Sequence, residues 1–89
     1  MKVLEKKYAI SILLFLAKNG GASSKRSIQK ALGKDRTVFV RIGELSKIGL
    51  ISCDHSEAKI HNSYTVNLTD IGREIADKLV ECESYFEMI

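Results

Sequence analysis

The chain has 89 residues, 45% hydrophobic and 28% charged, the size and balance of one globular domain over residues 1–89 and not of a disordered segment. It contains no proline, which suits a mostly helical chain. The net charge of +3 hides an asymmetry: residues 1–50 carry eleven Lys/Arg against three acidic residues, and residues 51–89 carry three against eight. A basic half and an acidic half predict one surface for a polyanion and another for a different partner.

The opening run "MKVLEKKYAISILLFLAKNGGAS" has the layout of a secretory leader. Glu5 within its basic part and Lys18 directly after its apolar part argue against that reading. The stretch Ala9 to Ala17 is too short to span a bilayer, so no membrane association is expected. It is read instead as helix one, residues 3–18. Its apolar positions, from Val3 and Leu4 to Leu16, cover most of the circumference and predict burial on both sides. Asn19-Gly20-Gly21 ends it. Ser23 or Ser24 caps helix two, about residues 24–32, with Ile28, Ala31 and Leu32 inward. Gly33 turns the chain into helix three, about residues 35–48, whose core face is Val38, Ile42 and Leu45. Gly49 ends that helix. "LISCD" and "SYTVNL" then read as a hairpin around the polar "HSEAK", with Tyr64, Val66 and Leu68 inward. Thr69 or Asp70 caps helix four, about residues 70–88. The expected architecture is mainly α with a small β-hairpin.

"SKRSIQKALGKDRTVFVRIGELSKIGLI", followed by "YTVNLTDIGREIADKL", resembles the winged helix-turn-helix transcription regulators of the MarR-like and archaeal kind. The resemblance spans nearly the whole chain. Its most specific parts are Leu45, Lys47, Gly49, Leu50 and Ile51, then Tyr64, Leu68, Thr69 and Gly72. The chain departs from the pattern at Phe39 and Val40, where small polar residues are common in the family. The resemblance implies a prokaryotic, cytoplasmic transcription regulator that binds double-stranded DNA with helix three in the major groove. No cofactor is implied.

With Val38 set at zero on a helical wheel, Arg36, Val40, Gly43 and Lys47 point away from the core. In the major groove, Arg36 would meet a guanine and Thr37 a base or a phosphate. Phe39 and Val40 would pack on thymine methyl groups. For Phe39, burial against helix two or a partner subunit is an equal alternative. Lys25, Arg26, Lys30, Lys34, Arg41 and Lys47 are the expected phosphate contacts. Lys59 and His61, at the tip of the hairpin, are weaker candidates for the same role.

Helix four carries the stripe Ile71, Ile75, Leu79, Cys82, Phe86 and Ile89. Its first half can pack on helix one. Leu79, Cys82, Phe86 and Ile89 are expected to meet a two-fold partner, or else to fold back on their own core. A homodimer would place two recognition helices about 34 Å apart. Cys53, Asp54, His55 and His61 are metal-ligand types, but no zinc motif spacing occurs, and Cys53 alternates inward beside Ile51. Cys53 and Cys82 are far apart with no CxxC, which points to reduced thiols. No nucleotide-binding glycine loop, HExxH or GxSxG is present, so binding and not catalysis is expected. Two runners-up are a winged-helix module for protein–protein contact and a metal-responsive regulator. The first lacks a reason for so basic a helix three.

Overall fold

The structure, a computed structural model, describes residues 2–55 and 64–88. A 3-10 turn over Lys2–Glu5 leads to helix α1, Ala9–Lys18. Strand β1, Ala22–Ser24, runs directly into α2, Lys25–Leu32, and a short turn leads to α3, Arg36–Lys47. Strands β2, Ile51–Asp54, and β3, Thr65–Leu68, follow, then the long helix α4, Asp70–Glu87. The sheet is antiparallel with order β1-β3-β2, pairing Ser23 and Cys53 to either side of Val66.

Two elements differ from the sequence reading. Among the described residues the sheet has three strands and not two. Three residues around Ser23 carry no alternation of their own, and they become a strand only by pairing with β3 more than forty residues on. Helix one, expected without a break from residue 3, is interrupted at Tyr8, whose φ of 72° is left-handed. Such a conformation costs a non-glycine residue about 1 kcal/mol. Long-range contacts hold the break in place. Lys6 Nζ meets Glu44 Oε2 at 2.6 Å, the Lys7 carbonyl accepts from Arg41 Nε at 2.9 Å, and Tyr8 Oη donates to Asp35 Oδ2 at 3.3 Å. Residues 6–8 therefore clasp α3 from its cap to its middle.

The helix ends follow from local chemistry. Ser24 caps α2, its hydroxyl accepting from Ser27 N at 3.1 Å. Asp35 caps α3, accepting from Thr37 N at 2.9 Å. At the other end of α3, Gly49 N donates to Ser46 O and Leu50 N to Leu45 O, the paired bonds of a Schellman motif. Gly49 has φ +84°, which glycine adopts without strain. Thr69 then ties two elements together: its hydroxyl donates to Gly49 O at 2.6 Å and accepts from Gly72 N at 3.1 Å.

The core joins Ile12, Leu13 and Leu16 of α1, Ile28 of α2, Val38, Ile42 and Leu45 of α3, and Leu50, Ile51, Val66 and Ala76. Leu32 packs at its edge, but Ala31, expected inward, is exposed. α4 meets the core through its small residues Gly72 and Ala76. A side chain at Gly72 would collide with the Leu50 carbonyl, so the close approach requires glycine. Of the large apolar stripe beside that line, Ile75 and Leu79 also pack on the core, half-buried. Ile71, expected to begin the packed stripe, is exposed, and Phe86 is 76% exposed. Burial of α1 is likewise one-sided: Ile10 remains 40% exposed, against the expectation that both sides are covered.

Candidate nucleic-acid interface

The burial pattern of α3 separates its two faces. Val38, Ile42 and Leu45 are buried, and Arg36, Val40, Gly43 and Lys47 are all exposed, Val40 to 52%. This exposed stripe runs the length of the helix. A side chain built at Gly43 would meet nothing within 4 Å. The glycine therefore makes no close approach to the described protein, although it costs a helix interior about 1 kcal/mol relative to alanine.

Arg41 is the clearest departure from the sequence reading. It lies at the core edge of the wheel, where a long side chain was expected to reach a phosphate. Instead it is 9% exposed. Its Nε donates to the Lys7 carbonyl and its guanidinium pairs with Glu44. Glu44 is held below the usual carboxylate range, chiefly by its hydrogen bond from Lys6. Arg41 thus anchors the N-terminal clasp, its guanidinium engaged within the protein. A long side chain at a core edge can turn either way, and the Lys7 carbonyl and the Glu44 carboxylate together decide it.

Phe39 packs at the core edge, with the Lys25 ammonium 4.7 Å from its ring centroid. The same ammonium is 5.4 Å from the Tyr64 ring. Lys25 N also donates to Tyr64 O at 3.0 Å. Lys25 therefore joins α2, α3 and the residue leading into β3, a role that spacing alone does not reveal, because the aromatic partners come from distant parts of the chain. Burial raises the Tyr64 phenol above its ordinary range and, likewise, the Cys53 thiol. Thr37 is half-buried at the start of α3.

Three basic residues of the first half are ion-paired, and Lys7 and Lys25 lie against aromatic rings. Lys6, Lys18 and Arg41 are paired with Glu44, Glu83 and Glu44. Among the described residues, Arg26, Lys30, Lys34, Arg36 and Lys47 have no ion pair or hydrogen-bonded side-chain partner, and all five are exposed. These five belong to α2, the turn and α3. Arg26 and Lys30 sit one turn apart on the side of α2 opposite buried Ile28. Lys59 and His61 lie outside the described residues. Among the described residues, no group of three His, Cys, Asp or Glu is placed to hold a metal ion. None of the described helices is long and apolar enough to cross a membrane.

Ile10 and Leu14 of α1 face Leu79, Cys82 and Phe86 of α4 across an open groove of about 400 Å³. Lys18 and Glu83 form an ion pair beside it. Ile89 lies outside the described residues.

Three helices, a tight α2–α3 turn and a strand pair leading into α4 define a winged helix-turn-helix domain. The solved structure of the transcriptional regulator homologue protein from Pyrococcus horikoshii OT3 is similar to it, with a TM-score of 0.75 at 22% identity. The match covers 97% of this chain and 86% of that one. At this identity the likeness establishes the shared fold. No family model matches the chain, and no curated protein matches it.

Proposed function

We propose that the protein is a DNA-binding transcription regulator that works by occupancy, with α3 in the major groove and no catalytic step. The observation that carries this reading is the unpaired stripe Arg36, Val40, Gly43 and Lys47, flanked by unpaired Arg26, Lys30 and Lys34. Internal ion pairs absorb Lys6, Lys18 and Arg41, while Lys2 and Lys7 lie apart on the N-terminal segment, and the basic residues of α2, the turn and α3 are left available to phosphates. Lys25 joins them as a phosphate contact, its ammonium held in position by Phe39 and Tyr64. The regulator name of the Pyrococcus neighbour agrees with this reading.

The working unit is a homodimer. Beyond Leu79, which is half-buried against the core, Cys82 and Phe86 continue the apolar stripe into the open, beside the groove against Ile10 and Leu14. An 18-residue helix is about 27 Å long, enough to carry this stripe past the core. A second copy covers it, and the acidic residues of α4 keep that end away from DNA. The protein–protein module does not explain the five unpaired basic residues.

Fluorescence anisotropy on mixed-sequence duplex DNA tests the proposal. Affinity is expected to fall steeply with salt, and replacing Lys30 with alanine is expected to lower the slope of log K against log salt by about 1 per protomer. Absence of binding at low salt refutes it.

A further inference from the structure

The exposed face of α3 restricts what the helix can read. Resting on the DNA-binding reading above, we infer that each half-site presents a guanine to Arg36 and a thymine methyl to Val40, within about two base pairs of each other.

Val40 is 52% exposed at the middle of the outward stripe and offers no polar atom. Pressed against a base edge, it would strip water from donors and acceptors it cannot replace. The thymine methyl is the apolar group that the major groove presents. Phe39, the other apolar residue of this segment, is drawn into the core edge beneath the Lys25 ammonium, so methyl recognition falls to Val40. Valine is short, and its contact needs the helix backbone close to the bases. Gly43, one turn further along the same stripe, leaves open space where a side chain would hold the helix off.

Arg36 is the first residue of α3, exposed and without an ion pair among the described residues. Its planar fork matches the N7 and O6 acceptors of guanine. Four residues along a helix span about 6 Å, against about 3.4 Å per base pair, which sets the spacing of the two bases.

The test begins with selection of duplexes from a randomised pool by the full chain. The preferred duplex is then remade in one half-site with deoxyuridine for each thymine in turn, or 7-deazaguanine for each guanine. One deoxyuridine is expected to weaken binding about fourfold, the loss of one buried methyl group. The Val40→Ala variant should bind both duplexes alike. One 7-deazaguanine is expected to weaken binding about tenfold, and the Arg36→Ala variant should not respond to it. Binding to a selected duplex that is indifferent to every deoxyuridine and every 7-deazaguanine overturns the inference and leaves the DNA-binding reading intact. Salt-dependent binding with no sequence enriched does the same. No binding to any duplex removes both.

Discussion

Replacing Gly43 with alanine sets fold and function in opposition. Gly43 sits inside α3 with helical backbone, and a Cβ there meets nothing within 4 Å. The added methyl is therefore free of collision in the isolated protein. It also removes the entropic penalty of a helix-interior glycine, a gain of about 1 kcal/mol. For a domain of this size the melting temperature should rise by roughly 4–8 °C. On DNA the sign reverses. If the stripe Arg36, Val40, Gly43 and Lys47 lies against base edges, the methyl enters a packed interface. Overpacking of that kind costs about 1–3 kcal/mol, roughly 5- to 150-fold in affinity. Circular dichroism melts and anisotropy on one duplex, run on the same two preparations, give both numbers. A variant that melts higher and binds DNA as well as the parent would place the middle of α3 away from DNA. A variant that melts lower would refute the account of the open space.

Three further perturbations address other links. Gly72→Ala should destabilise the fold by at least about 2 kcal/mol, seen as a melting temperature lower by roughly 8–16 °C, because the new methyl collides with the Leu50 carbonyl. Phe86→Asp should leave the fold intact, since the ring is largely exposed, while halving the mass in sedimentation equilibrium; an unchanged mass would remove the groove from the dimer. Asp35→Asn tests the cap of α3 through pH. Its carboxylate is held below its ordinary value of 3.8, chiefly by the backbone N–H of Thr37, so its stabilisation is present above that value and is lost as pH falls through the lower folded value. Asparagine keeps the acceptor but does not titrate, so the melting temperature of the variant should drop less than that of the parent between about pH 5 and about pH 3.

Much of this fold is legible in the sequence because local chemistry sets it. Ser24 and Thr69 cap two helices at positions the sequence offers for caps, and Gly49 ends α3. The core face Val38, Ile42 and Leu45 follows from helical periodicity alone. What escaped depends on partners distant in the chain. β1 exists through β3, the break at Tyr8 exists through contacts to α3, and Arg41 turns inward to the Lys7 carbonyl. Lys25 reads as one more surface lysine until Phe39 of α3 and Tyr64, just before β3, are brought to it. The outward stripe of α3 was legible, and the structure adds that nothing in the described chain occupies the space beside Gly43.

The most direct test of α3 as the DNA-facing element is an amide chemical-shift titration of the isotope-labelled protein with a short duplex. The account predicts the largest shifts over residues 25–47, centred on Arg36, Val40 and Gly43, with little change at Tyr85 and Phe86. Shifts concentrated on the tail of α4, or none on α3, would contradict it.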